Sequence, residues 1–464
     1  MQSIPTGETM AYNFKRYDRD QMYLMPPSVA DWLPEDHLAW FVLDAVQQME
    51  LSSFYKKYRE DGRGGSLYEP SMMVGLLVFA YCEGRRSSRK IEVLCERDVA
   101  YKVITANQQP DFSTISRFRQ SNGKALKGLF IEVLRLCAES GLVKLGKVSL
   151  DGTKIKANAS LSSNRTQKHL EEEVKKMLTE AAAKDAEEDA EFGADKRGDE
   201  LPAALKDRHS RLQRLRECRS RLEKEKEETL SLQRKKIEER EAREKETGKK
   251  TRGRKPKPVD QVKQKQSKAN ITDPDSRIMK TRKGYEQGYN AQVVVTEEQI
   301  IIAEDVTQEA NDINQLYPML EQAEGNRKAV VLEEEIEALL ADAGYCSENN
   351  LSKKASEEPE LFIATQKDWR QRKAMQEEPP PRGRIPKSLS QTERMERKLR
   401  TKRGREIYKK RSQTVEPVFG QIKTVRGIDQ FVRRGLDACK SEWSLICATH
   451  NLLKLWRSGK ACWN

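Results

Sequence analysis

The sequence is poor in the residues that build zinc-bound or disulfide-linked folds. It has eight cysteines without a Cys-x-x-Cys pair and only four histidines, so neither a zinc site nor a disulfide framework is predicted. No apolar run approaches the roughly 18 residues that span a bilayer. The first residues also lack the apolar segment of a signal peptide. We therefore expect a cytoplasmic protein with no membrane partner.

The chain is rich in charge, and cations predominate. Lys and Arg number 86 against 73 Asp and Glu, which gives a formal net charge of +13 over 464 residues. This balance suits a polyanionic partner such as nucleic acid, although a charged, solvated surface would also explain it. The length allows two or three domains. If a metal acts here, the shortage of His and Cys sites leaves oxygen ligands, which favours magnesium or manganese.

The first part of the chain is predicted to be helical. Residues 1–20 are expected to form a flexible tail, and residues 21–140 an all-α N-terminal DNA-binding domain. Within it, the run from Met72 to Cys82 is apolar all round, which predicts a buried central helix.

A short helix after Pro110 carries candidate DNA contacts. Ser113 is predicted to cap it, and Ile115 and Phe118 to form its inner face. Outward hydroxyls and arginines would suit a DNA groove, but an ordinary solvated helix face is an equal alternative. The candidate DNA-binding residues on this helix are Ser113, Ser116, Arg117 and Arg119.

Residues 141–160 are predicted to be the first strands of a catalytic core. Val148 and Leu150 share one face of a strand, whereas Ile155 lies on the face of opposite parity, so we expect a bulge or bend at Gly152. Such a strand can place the carboxylate of Asp151 at an edge of the fold, as a metal ligand. An Asp before Gly is more often a turn residue, so Asp151 needs partners elsewhere.

Residues 161–270 are predicted to be an insertion. Leucines and other apolar residues at spacings of three and four indicate a charged helical hairpin with a weak coiled-coil seam over residues 161–247. A basic arm follows it. There, Arg252 and Arg254 resemble the Arg-Gly-Arg centre of an AT-hook, which enters a minor groove, although a plain linker is the alternative.

The core is predicted to resume over residues 271–366. Two apolar strands around residues 289–305 form a hairpin, a helix covers residues 311–324, and a further strand ends at Asp342. With both aspartates at strand ends, the pattern indicates an α/β fold: a ribonuclease-H-like mixed sheet with flanking helices. Residues 367–403 are predicted to be a basic linker, residues 404–457 the C-terminal helices of the core, and residues 458–464 a tail.

A third acidic candidate lies in the C-terminal helices. The inner stripe of the helix around Glu416 is formed by Val415, Val418, Phe419 and Ile422, so Glu416 itself is displaced to the flank. Tyr408, Arg411 and Lys423 are placed to contact phosphates on either side of it.

Together, these three acidic motifs resemble those of bacterial insertion-sequence transposases of the DDE class. The motifs are residues 150–154, 341–345 and 414–420, and the branch is the one marked by a Tyr-x2-Arg-x3-Glu-x6-Lys signature. The resemblance covers nearly all of the chain. One spacing departs from the signature, since four residues rather than three separate Arg411 from Glu416.

The resemblance implies a chemistry and its partners. Asp151, Asp342 and Glu416 would be the catalytic residues and would hold two Mg²⁺ or Mn²⁺ ions for DNA strand cleavage and strand transfer. The DNA would be the terminal inverted repeats and the target, bound by a nucleoid-associated protein that dimerises on DNA. Trp369 is a candidate for stacking on a displaced base. The alternatives are a catalytically inactive DNA-binding regulator derived from a transposase, and a nuclease without strand transfer.

Overall fold

The computed structural model describes most of the chain, and every structural statement below concerns those residues. They are residues 28–56, 58, 67–176, 179, 203–247, 255–256, 258, 268–281, 284–352, 359–366, 370–371, 377–383, 385–386, 388–461 and 463.

The described residues before the central sheet form a series of helices. After a short 3-10 turn at Val29–Trp32 come α1 (Leu38–Gln47), α2 (Ser52–Tyr55), α3 (Pro70–Cys82), α4 (Ser88–Arg97), α5 (Val99–Ile104), α6 (Phe112–Ser121) and α7 (Gly123–Glu139). Helix α3 begins with Pro70 in its first turn and a cap from Glu69, a position where proline costs no hydrogen bond. Its residues from Met73 to Cys82 are all buried, which confirms the predicted central helix.

Helix α6 has a different cap from the predicted one. Asp111, not Ser113, is the N-cap, and its carboxylate accepts hydrogen bonds from the backbone N–H groups of Ser113 and Thr114. A carboxylate at this position satisfies two free N–H groups and interacts well with the helix dipole. Ile115 and Phe118 are buried, as the pattern predicted.

A six-stranded mixed sheet lies at the centre of the molecule. Its strands are β1 (Lys147–Lys156), β4 (Arg277–Thr281), β5 (Gly284–Thr296), β6 (Ile301–Thr307), β7 (Ala338–Ala341) and β8 (Glu360–Ile363). Strand β5 pairs antiparallel with β4 and β6 on one side and with β1 on the other. Strand β1 then pairs parallel with β7, and β7 pairs parallel with β8. The predicted hairpin is therefore confirmed as β5 and β6.

The bulge predicted at Gly152 is wrong. Strand β1 keeps one uninterrupted register with β5 from the Val148–Thr296 pair to the Lys156–Gly288 pair. The apolar pattern changes parity because both faces of the strand are covered: Val148, Ser149 and Leu150 are all buried. The register shift of the sheet lies instead between β5 and β6, at Val294 and Val295.

The remaining helices cover this sheet. They are α9 (Leu316–Ala329), α10 (Glu348–Ser352), α11 (Gln391–Leu399), α12 (Lys402–Gly420), a π-helical turn at Gln421–Val425, and α13 (Leu436–Ser458). Strand β6 is held by α13 through Asn451, whose amide accepts from the Ile301 N–H and donates to the Ile301 carbonyl. None of the helices in the described part of the chain is long and apolar enough to cross a membrane.

The inserted segment leaves and returns through a small antiparallel sheet, β2 (Asn164–Thr166) and β3 (Lys268–Asn270). It contains helical residues 167–176 and the long helix α8 (Ala203–Thr247). Residues from both helices and β3 share a small apolar core, namely Leu170, Val174, Leu215, Cys218, Leu222 and Ala269. Leu170 and Val174 of the first helix therefore pack against Leu215 and Leu222 of α8.

The N-terminal helices and the sheet share one continuous core. It extends from Ala39 in α1 to Leu455 in α13, and α7 packs along α13. Arg426 ties the two parts together, because its buried guanidinium donates to the carbonyls of Tyr81 and Ile446 and to the hydroxyl of Thr449. The N-terminal helices therefore pack on the rest of the molecule through this shared core.

Candidate active site

Asp151 and Asp342 lie side by side because their strands are parallel neighbours. Leu150 of β1 pairs in register with Ala341 of β7, and an aspartate directly follows each of them. The two carboxylates interact electrostatically, and the charge of Asp342 helps to raise the pKa of Asp151. Each also accepts a local backbone hydrogen bond, from Gly152 N at 2.9 Å and from Gly344 N at 2.7 Å, respectively.

Glu416 lies on α12, which packs against this edge of the sheet. Val415 and Val418 are fully buried on its inner face, as is Ile422 in the π turn, while Glu416 is exposed on the flank, as the sequence predicted. The helix continues through Pro417.

Arg411 connects α12 to the strand carboxylates. Its Nη2 atom donates to Asp151 Oδ2 at 2.7 Å, and both side chains are largely buried. Burial lowers the pKa of Arg411, but the nearby Asp151, followed by Tyr408 and the other two carboxylates, outweighs this and holds the pKa above its usual value. In the protein without DNA, the partner of Arg411 is the first carboxylate of the site, and its predicted contact with phosphate stays a prediction.

Opposing effects act on the pKa of the Asp151 carboxyl. Burial raises the pKa of its carboxyl to about 6, Arg411 lowers it, and Asp342 raises it. A cation bound to this carboxyl would favour its ionised form, because the positive charge would replace the hydration that was lost on burial.

A fourth carboxylate, Asp312, was missed by sequence reasoning. Its Oδ1 atom accepts from Asn290 Nδ2 at 2.6 Å and Gln292 Nε2 at 2.8 Å, and Lys154 Nζ lies 3.7 Å away. The two amides belong to β5 and the lysine to β1. The helix predicted over residues 311–324 included Asp312, but it begins only at Leu316, so Asp312 lies in the loop before it.

Two glycines make room for these carboxylates. A Cβ atom on Gly152 would lie 2.2 Å from Gln292 Nε2 and 2.8 Å from Asp312 Oδ1, and one on Gly344 would lie 2.9 Å from Asp342 Oδ1. Larger residues at either position would therefore displace the acidic side chains. The Asp-Gly step at residue 151 is a packing requirement rather than a turn.

The carboxylates of the site are suitable ligands for a hard divalent cation, but they do not form a complete metal site. Among the described residues, no three His, Cys, Asp or Glu side chains are grouped closely enough to hold a metal ion. Instead, the cationic partners are Arg411 on Asp151 and Lys154 on Asp312. Carboxylate oxygens fit magnesium or manganese, and the three-carboxylate ligand set stays a prediction.

The other predicted residues of the C-terminal helices lie around the same edge. The Tyr408 hydroxyl donates to the Ala341 carbonyl at 3.2 Å, one residue before Asp342. Lys423 stands in the π turn, and its Nζ donates to the Lys154 carbonyl at 2.7 Å. Phosphate contacts by these side chains stay predictions.

The prediction that Arg119 faces outward is wrong. Its guanidinium is buried and donates to the Arg86 carbonyl at 2.7 Å and to the hydroxyls of Tyr81 and Ser88. Arg117 is exposed, but it donates to the hydroxyl of Ser113, which in turn donates to Asp111. Ser116 is half-buried. Three further candidates, Arg252, Arg254 and Trp369, lie outside the described residues.

Two segments of the chain match models of protein families. Residues 27–121 match the transposase domain DUF772, and residues 380–456 match the transposase DDE domain. The second segment includes Glu416, whereas Asp151 and Asp342 lie outside both. No curated protein and no solved structure matches the chain. The two matches confirm the predicted resemblance, while the branch with the extended signature stays a prediction.

Proposed function

We propose that this chain, an insertion-sequence transposase of the DDE class, binds the ends of its element and cuts and rejoins DNA there. The observation that carries the proposal is the meeting of three chain segments at one sheet edge. Asp151 and Asp342 follow paired residues of parallel strands, and Arg411 on the helix of Glu416 donates to Asp151.

The topology of the sheet supports a ribonuclease-H-like core. Three antiparallel strands, β6, β5 and β1, are followed by the parallel strands β7 and β8. An aspartate lies on the central strand β1, and a second follows the end of its parallel neighbour β7. A later helix then supplies the glutamate.

Asp151, Asp342 and Glu416 are the residues that would hold two Mg²⁺ or Mn²⁺ ions. Bound there, the cations would supply Lewis-acid stabilisation of the charge that develops during phosphoryl transfer. Histidine is not needed for such chemistry. Of the described residues, His450 contacts the Gln299 carbonyl at 3.0 Å, and burial lowers its pKa to about 3, which suits a structural role.

The side chains around the carboxylates fix their positions. Arg411 orients Asp151 and favours its ionised form, while Tyr408 fixes the backbone just before Asp342. Asp312 holds Lys154 and the amide of Gln292 on the other side of the edge. These contacts are present in the protein without DNA.

The partners follow from the same proposal. Double-stranded DNA, as terminal inverted repeats and as target, is the substrate, and the net charge of +13 favours its binding. Two ends must be joined together, so we propose a homodimer in the DNA complex. A nucleoid-associated position in the cytoplasm is the corresponding location.

The test uses purified protein and a DNA fragment that carries the terminal repeat of the element. Asp151→Asn, Asp342→Asn and Glu416→Gln should each bind the fragment but lose nicking and joining by several orders of magnitude. Glu406→Gln is the matched control, because Glu406 is an exposed glutamate on the same helix, and it should cut like the parent. A parent protein that binds but never cuts under any divalent ion would make this a DNA-binding regulator instead.

A further inference from the structure

A basic cleft lies between the N-terminal helices and the segment that follows the π turn. Its volume is about 1090 Å³, with one wall from α4 and α6 and the other from residues 429–434. Arginines at 86, 89, 119, 433 and 434 line it. Asp429 is the one carboxylate among the described lining residues, and Lys156 Nζ lies 3.3 Å from it.

Most of this positive charge has no carboxylate partner. In the described part of the chain, Arg89, Arg119, Arg433 and Arg434 form no ion pair. Arg89 lies over the Phe112 ring, and Arg434 Nε donates to the Asn158 carbonyl at 3.0 Å. Arg86 is paired with Glu442, yet its Nε, on a side chain more than nine-tenths buried, has no described partner. Arginine with spare N–H groups is the preferred donor to phosphate.

The two walls are held in fixed positions. Arg119 holds the α4 side through the Arg86 carbonyl and Ser88. On the other side, the Glu442 carboxylate accepts from the backbone N–H groups of Val432 and Arg433 as well as from Arg86 Nη1. Glu442 is thus occupied in building the cleft, which leaves Arg89, Arg433 and Arg434 for a ligand.

The cleft lies beyond the end of the strand that carries Asp151. Lys156, the last residue of β1, bridges to Gln430. Asp151 and Lys156 are about 16 Å apart along the strand at about 3.3 Å per residue. A duplex that runs along β1 from Asp151 therefore brings phosphates about five base pairs away to the cleft, at about 3.4 Å per pair.

From this geometry we infer that the cleft is a phosphate-binding site for the backbone of duplex DNA flanking the cleavage position. The inference rests on the proposed function, because it places the scissile phosphate at Asp151. The buried Arg119 builds the site, and Arg89, Arg433 and Arg434 contact DNA. The contacts are to the backbone, so they are independent of sequence.

The experiment measures affinity for a short duplex of mixed sequence over a range of salt concentrations. One variant, Arg433→Gln with Arg434→Gln, alters one wall, and Arg89→Gln alters the other. The control, Arg97→Gln with Lys328→Gln, removes the same charge as the double variant from exposed positions outside the cleft. Thermal melting of each variant verifies folding.

The double cleft variant should bind roughly tenfold more weakly, and the slope of log affinity against log salt should fall by about 2. Arg89→Gln should lower the slope by about 1. Cleft variants that bind the duplex as tightly as the control, with the same salt dependence, would overturn the inference. If the cleft variants bind the duplex weakly but not even the parent protein cuts DNA, the proposed function is wrong, and the cleft is still a binding site for the DNA backbone.

Discussion

Arg411 Nη2 lies 2.7 Å from Asp151 Oδ2, although 260 positions separate the two residues in the chain. One is on α12 and the other on the central strand of the sheet. This pair joins the helix of the third acidic residue to the strand of the first, and it sets the charge of the site.

Replacing Arg411 by Gln should make DNA cleavage more sensitive to acid. The guanidinium lowers the pKa of Asp151, so its loss raises that pKa, and a larger fraction of Asp151 is protonated at a given pH. We expect the acid limb of the cleavage rate to move to higher pH by about one pH unit or more. Arg411→Lys, which keeps the charge, should move it less, and an unchanged limb in Arg411→Gln would show that the pair does not control ionisation.

Asp312→Asn should slow cleavage with little effect on folding. The amide keeps the shape of the side chain but loses the negative charge that faces Lys154, which leaves this lysine to compete for Asp151 and Asp342. Changes in groups that support a metal or catalytic site typically cost about tenfold to a hundredfold in activity. Asp437→Asn, at an exposed position of α13, is the control. Cleavage by Asp312→Asn at the rate of the parent protein would show that Asp312 does not support the site.

Two arginines of α6 should respond differently to the same change. Arg119→Gln should lower the free energy of unfolding by about 2–3 kcal/mol, because charged hydrogen bonds to buried partners are lost. Arg117→Gln should change it by less than about 0.5 kcal/mol, since Arg117 is exposed. Denaturant titration of both variants measures the difference, and equal stabilities would contradict the buried position of Arg119.

Stability should fall as the pH rises toward 8, because of Glu304. Burial between β6 and α13 raises the pKa of its carboxyl to about 8, and Ser444 donates to it at 2.6 Å. The folded state therefore holds a proton that the unfolded state releases near pH 4.5, and this contribution is present below that pH and lost as pH rises through 8.

The measurement compares the parent protein with Glu304→Gln, which keeps the side-chain shape but cannot ionise. Between about pH 5 and 8, the parent should lose stability relative to the variant by about 1.4 kcal/mol per pH unit. Chemical denaturation at several pH values gives this difference, in which the titration of other groups cancels. A constant difference would mean that Glu304 ionises normally.

The sequence alone determined several of the local elements. Apolar runs fixed α3 and the β5–β6 hairpin, and the stripe of Val415, Val418 and Ile422 fixed the orientation of α12. These features depend on neighbours within a few residues, so the periods of helix and strand reveal them. For the same reason Glu416 could be placed on the flank of its helix.

Only the tertiary structure decided how distant side chains meet. Arg411 pairs with the distant Asp151, Asp312 joins the site from outside any regular element, and Arg119 is buried despite its charge. Each depends on partners far away in the chain, and no spacing within a helix or strand encodes them. A buried charge is stable only where such partners exist, and their presence is known only once the strands and helices have packed together.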